Sequence, residues 1–186
     1  MDRTEALFDV LYRRRSVRRF QGRPVERGVI ARLLDAAMAA PSACNLQPWE
    51  FIVLLEPENV ARLKGCIGES NGRHYNAPAA IVVCGNSHHI PWGGYGTLDC
   101  AAAIENLLLA VTTLGLGAVW IGDFDPTAVA ALLDIPEHVG VVSLVLLGYP
   151  AEDKPPRGQY TEEAVYWERY DPQREHPKRS IDLRLL

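Results

Sequence analysis

The sequence predicts one layered domain, helices packed on a small sheet, of either α+β or α/β type. Three observations carry this. A chain of 186 residues with 48% hydrophobic content is the length and composition of a single globular core. Short apolar runs at 50–55 (EFIVLL), 79–84 (AAIVVC) and 141–147 (VVSLVLL) read as buried strands. Stretches with helical spacing alternate with those runs, which gives a layered architecture. Periodicity alone does not separate α+β from α/β.

Taken in order, Thr4 caps a first helix with Leu7, Val10 and Leu11 on one face, ending near Arg13–Arg15. A second helix follows Pro24, with Ile30, Leu33, Leu34, Ala37 and Met38 as its buried stripe and Pro41 as its stop. After the strand at 50–55, a short helix spans 57–63, and the Gly-containing segment 65–76 is a loop. The strand at 79–84 leads into a second loop, 85–96. The helix from Thr97 or Leu98 to Leu114 is apolar nearly all round, so it is a central, buried element. Asp99 and Glu105 interrupt it, and Gly115 ends it. A third strand at 118–121, a helix at 126–133 opened by Pro126, and the strand at 141–147 complete the pattern. From about residue 150 to 186 a charged, proline-bearing extension carries too little apolar content to fold on itself; a partner subunit is its natural support.

Composition narrows the function. A net charge of −4 does not favour nucleic-acid binding. The N-terminus lacks the pattern of a secretory signal, and no apolar run approaches the ~20 residues of a membrane span. The four cysteines form no CxxC pair, so neither a disulfide framework nor a zinc site is expected, and a cytoplasmic setting is the default. His88 and His89 are adjacent, point in different directions and lack a third ligand. Cys44 has no local histidine to activate it.

Two stretches carry the chemistry. RRSVR at 14–18 places three arginines and a hydroxyl in five residues, flanked by Arg13 and Arg19; in an acidic chain such a window is a candidate anion site. PSACNLQPW at 41–49 is a turn-rich loop feeding an apolar run. Together they make a reasonable cradle for a phosphate and a heteroaromatic ring.

RRSVR, the spacer to Pro24-Val25, PSACNLQPWEFIV, GLGAVWIG at 115–122 and the Arg157 region, in this order, resemble the nitroreductase family of FMN-dependent oxidoreductases over about residues 11–170. The resemblance implies an α+β fold: a three-layer α/β/α sandwich with a central mixed sheet, in an intertwined homodimer with two FMN sites at the interface. It implies that Arg14 pairs with the flavin phosphate, that Ser16 bonds the phosphate or ribityl chain, and that Arg15 adds backbone or ribityl contact. Arg18 would lie by the N1/O2 edge, where a cation favours reduced flavin. Pro41, Ser42 and Asn45 would reach the ring edge or ribityl, Asn45 from the other subunit, with Gln47 and Trp49 structural. Trp120, Ile121 and Gly122 would pass the N5 face, and Arg157, or failing it Lys154, would close on the phosphate. Arg73, Trp92 and Tyr95 are candidates for ring or substrate contact.

The implied reaction passes hydride from NADH or NADPH through flavin N5 to a small organic acceptor such as a nitro compound or quinone. No catalytic side chain or metal is needed. The glycines of GLG do not make a dinucleotide fingerprint, since they follow a helix and precede a strand. The interval between the strand ending near Cys84 and the next helix is shorter than in larger members, which implies a more open pocket. An FMN store or sensor without pyridine-nucleotide turnover would share the same ligands.

Overall fold

The computed structural model describes residues 2–68, 75–89, 94–158 and 160–175; Arg73 and Trp92 lie outside them. The chain divides into two units, residues 1–156 and 157–186. In the first unit the elements are α1 (Arg3–Arg13), α2 (Arg27–Met38), β1 (Trp49–Leu54), α3 (Pro57–Lys64), β2 (Ala79–Asn86), α4 (Tyr95–Thr113), β3 (Gly117–Ile121), α5 (Pro126–Leu132) and β4 (Val139–Gly148). The strands form one sheet in the order β1-β2-β4-β3.

Every strand pair in that sheet is antiparallel, where a mixed sheet was expected; the parallel component is an isolated bridge between Ser16 and Ala118. The strands read as continuous apolar runs because both faces are covered. Ile81, Val83, Val145 and Leu147 face α2 and α4 in one core, with Leu33, Ile104 and Leu107. The alternate residues Ala80, Val82, Leu144 and Leu146 face the other, with Val60 and Leu63 of α3 and Val129 of α5. Period-two side chains buried on both sides give the three layers.

Helix α4 is central, as its all-round apolar character requires, although it starts at Tyr95, two residues before Thr97. Gly115, at φ +71°, ends it: the Leu116 N–H donates to the Val111 carbonyl at 2.9 Å, a bond that needs the left-handed turn glycine supplies. Two expectations for the outer helices fail. Asp2, not Thr4, caps α1, accepting from the Arg3 N–H at 2.6 Å, and α1 buries none of its residues. Met38 is 48% exposed, so the α2 stripe is carried by Ile30, Leu33 and Ala37.

The arginine segment leaves α1 as an extended arm. The Val17 N–H donates to the Ala118 carbonyl of β3 at 2.8 Å, and the Gln21 N–H to Tyr149 at 2.8 Å. The Asn76 amide clamps Phe20 from both sides, accepting from its N–H at 2.9 Å and donating to its carbonyl at 2.7 Å. Val17 lies so close to β3 that a Cβ on Gly117 would sit 2.7 Å from the Val17 Cβ. Only glycine fits there.

In the second unit, a 3-10 turn at Glu162–Ala164 precedes a stack of Tyr166 on Tyr170 with ring centroids 4.4 Å apart. The Arg174 guanidinium lies 4.3 Å over the Tyr166 ring and donates to the Val165 carbonyl at 2.7 Å. Tyr160 and Trp167 are largely exposed.

Gly117→Ala is expected to destabilise the fold by about 1–3 kcal/mol through overpacking, read as a lower urea midpoint. Adding Val17→Ala should return part of that loss, because it removes Cγ1 and Cγ2, two of the three atoms in collision, and leaves the Cβ.

Candidate functional site

Extended backbone puts alternate residues on one side, so the arm presents Arg14, Ser16 and Arg18 together while Val17 enters the core. Arg14 pairs with Glu105 of α4 at 3.5 Å. Arg15 donates to the Pro155 carbonyl at 2.5 Å. The Ser16 carbonyl accepts from Lys154 Nζ at 2.7 Å and from Arg18 Nη1 at 3.3 Å. Arg18 Nε is buried with no hydrogen-bond partner among the described residues. Buried donors are ordinarily paired, so this one is available to an incoming acceptor. Arg13 is tied to Asp9 at 2.7 Å on the surface, and Arg19 to Glu152 at 3.3 Å.

Glu152 holds this arrangement from behind. One carboxylate oxygen accepts from the Arg18 N–H at 2.7 Å and the Arg19 N–H at 3.3 Å, and lies 3.3 Å from Lys154 Nζ. Burial pushes the Glu152 carboxyl up, but those N–H donors and the Lys154 charge outweigh it and hold the group below its ordinary value.

The second stretch folds as a strained loop. Cys44, Asn45 and Gln47 have φ of 51°, 55° and 48°, left-handed values that cost non-glycine residues free energy and persist only when neighbours enforce them. The Ser42 hydroxyl accepts from the Gln47 N–H at 2.9 Å, and the Asn45 side-chain oxygen from Gln47 Nε2 at 3.3 Å. The buried Asp99 of α4 accepts from the Ala43 N–H at 3.1 Å. At the far end, the Asn86 N–H donates to the Pro48 carbonyl at 2.8 Å. Pro41, Cys44 and Asn45 are exposed, whereas Trp49 is buried.

The third stretch is the end of β3. Trp120 is half-exposed, Ile121 is buried with its carbonyl accepting from the Ser143 hydroxyl at 2.8 Å, and a Cβ on Gly122 would meet nothing within 4 Å. Just beyond, the Gly68 N–H donates to the Asp123 carbonyl at 3.0 Å and the Asp125 N–H to Cys66 at 2.8 Å. The start of the 65–76 loop is therefore stitched to this strand end rather than free.

The structure thus brings Ser16 and Arg18 onto the strand that carries Trp120, Ile121 and Gly122, with Gly122 about 13 Å past Ala118 at the rise of a strand. It ties the Pro41–Gln47 loop to α4 instead. Asp99, which holds that loop, and Glu105, which holds Arg14, are about 9 Å apart along the axis of α4. Arg157 is an exposed residue of the second unit, whereas Lys154 is in the first unit and touches the arm. Tyr95 opens α4 and is 54% exposed. His88 is stacked on His138, with ring centroids 4.2 Å apart.

Sequence reading missed Asp99, Glu105 and Glu152 as holders of the site. The first two had left a signal, as the polar breaks in an apolar helix; Glu152 had left none. Cys84 and Cys100 are buried, and burial pushes their thiols up to about 11 and about 12, which leaves both unreactive near neutral pH.

A carboxyl held below its unfolded value of about 4.3 stabilises the fold above that pH, and the contribution is lost as pH falls through the folded value. Wild type should therefore be more stable than Glu152→Gln at pH 7, with urea midpoints that converge as the solution is acidified below about pH 4.

The family model described as "Nitroreductase family" matches residues 11–82 and 69–149. A protein of Methanothermobacter thermautotrophicus, provisionally named an NADH dehydrogenase/NAD(P)H nitroreductase, is 36% identical over 168 residues, covering 88% of this chain and 87% of its own. An NADH dehydrogenase of Thermus thermophilus is 30% identical, covering 83% and 92%. Among solved structures, an FMN-dependent nitroreductase of Clostridium difficile R20291 superposes with a TM-score of 0.78 at 25% identity, over 88% of this chain and 99% of its own. The chain belongs to the nitroreductase family.

Proposed function

We propose that this protein is an NAD(P)H-dependent FMN oxidoreductase acting on a small organic acceptor, such as a nitro compound or quinone. The observation that carries the reading is the arm itself: Arg14, Ser16 and Arg18 on one side of an extended segment, with a spare buried donor at Arg18 Nε. The names of the relatives point the same way. Bound FMN would supply the chemistry the side chains lack, taking hydride from a nicotinamide and passing electrons to the acceptor.

The residues fit that group. Arg14, held by Glu105, offers a guanidinium to a phosphate, and Arg15 and Ser16 flank it. Lys154 adds a cation at the same place, whereas Arg157 belongs to the second unit. Arg18 presents charge and a free donor to a ring edge that gains electron density. Along β3, Trp120, Ile121 and Gly122 offer backbone with no Cβ obstruction at Gly122, at a distance an extended phosphate–ribityl–ring molecule can bridge. Pro41, Ser42 and Asn45 offer polar atoms from a loop whose strained backbone is kept in shape by Asp99. Only eight residues, 87–94, separate β2 from α4, which leaves room for varied acceptors.

The partner in this reading is a second copy of the chain, with FMN at the interface. Helices α1, α2 and α4 leave an apolar face uncovered, with Leu7, Phe8, Leu11, Met38 and Leu98 at 39–64% exposure. Faces of that kind mark interaction surfaces. The start of the extension, through Pro155, is bonded to the arginine arm of its own chain; the exposed Tyr160 and Trp167 beyond it would find their support on the partner. No helix among the described residues is long and apolar enough to cross a membrane.

The purified protein should show flavin absorbance, or acquire it with FMN, and lose it anaerobically with NADH or NADPH. Flavin that resists both nucleotides would favour a store or sensor, and failure to take up FMN would refute the reading. Arg18→Ala should weaken FMN binding about 10- to 100-fold, the loss of charge-assisted hydrogen bonds worth about 1.5–3 kcal/mol, measured by flavin fluorescence quenching. Leu7→Glu should shift sedimentation from the mass of two chains towards that of one, because it places charge on the apolar face.

A further inference from the structure

Glu152 is an anion placed behind a cluster of cations read as a phosphate site. Its side chain is 11% exposed. Its carboxylate accepts from the backbone N–H groups of Arg18 and Arg19 and from Arg19 Nε at 3.3 Å. It also pairs with Lys154, whose Nζ donates to the carbonyl of Ser16 at 2.7 Å. Two residues, 152 and 154, therefore grip the arm on both sides of Val17, one through N–H groups and the other through a carbonyl. The Ala151 N–H adds a bond to the Arg19 carbonyl at 2.9 Å.

Simple Coulomb reasoning says that a carboxylate here should hinder a phosphate, since like charges repel. The geometry argues for a different balance. Ser16 and Arg18 face away from Val17 only while the arm keeps its extended shape, and four arginines and a lysine within one short region repel one another. Glu152 neutralises part of that repulsion and fixes the backbone whose side chains face the anion. Binding gains when ligating groups are held in place before the ligand arrives.

We propose that Glu152 is a positioning residue for the cofactor's phosphate, acting through the Arg18 and Arg19 backbone and through Lys154 to hold the arginine arm in its anion-binding shape. The proposal rests on the reading of that arm as the FMN phosphate site. It assigns Glu152 no contact with the cofactor.

The experiment compares wild type, Glu152→Ala and Glu152→Gln for binding of FMN and of riboflavin, which lacks the phosphate. Positioning predicts that Glu152→Ala weakens FMN about tenfold or more and riboflavin less, because Arg18 at the ring edge serves both molecules while Arg14 and Ser16 serve the phosphate alone. Glu152→Gln keeps an acceptor for the Arg18 N–H, so it should recover part of the FMN affinity. Amide hydrogen exchange on the cofactor-free proteins gives a second readout: residues 16–20 should exchange faster in both variants, most in Glu152→Ala, with β2 and β4 unchanged. FMN binding that is unchanged or tighter in Glu152→Ala would overturn the proposal, as would equal loss of FMN and riboflavin. If Glu152→Ala fails to fold, the same FMN-to-riboflavin comparison and exchange measurement on Glu152→Gln decide it. Wild type that binds no FMN would defeat the functional reading instead, and exchange at 16–20 would still show whether Glu152 holds the arm.

Discussion

The hydrogen bond from the Val17 N–H to the Ala118 carbonyl, at 2.8 Å, is the constraint on which the site depends. It attaches the segment that follows α1 to the edge strand β3, and it does so only because Gly117 carries no side chain in the path of Val17. With Val17 turned into the core, Ser16 and Arg18 must face the other way. A core contact thus determines the direction of the arginines. The site has its orientation from packing, before any ligand is considered.

Around that attachment, acidic residues do most of the holding. Glu105 steadies Arg14, Glu152 the Arg18 backbone, and Asp99 the Ala43 N–H. Two of the three lie on α4, which packs Cys100, Ala103, Ile104, Leu107, Leu108 and Val111 into the core. A single buried helix therefore references both the arginine arm and the strained Pro41–Gln47 loop. Neither stretch needs to touch the other within the chain for their spacing to be set.

Much of this was legible in the sequence, and the failures have physical causes. The four strands and the long helix announced themselves by apolar runs. Yet those runs could not reveal an antiparallel sheet, because a sheet buried on both faces loses the alternation that usually marks antiparallel strands. The arginine and PSACN stretches stood out by composition. Their supports did not: Glu152 is one acidic residue in a charged, proline-bearing extension, and only the chain's return past Pro150 brings it under the arm. Met38 and Leu7 illustrate the opposite failure. Each sits at a position with helical apolar spacing, but that spacing says a face is meant to be covered without saying whether its own chain covers it.

Helix α1 shows what that means for the molecule. Eleven residues of isolated helix are marginal in water, and α1 buries none of them within its own chain. Its last residue is followed directly by Arg14. Whatever packs on the apolar side of α1 therefore also sets how well ordered the start of the anion site is. In the proposed dimer, self-association and ligand capture would be thermodynamically linked: dilution would loosen the helix and with it the arm, while an anion bound by the arm would favour the associated state in return.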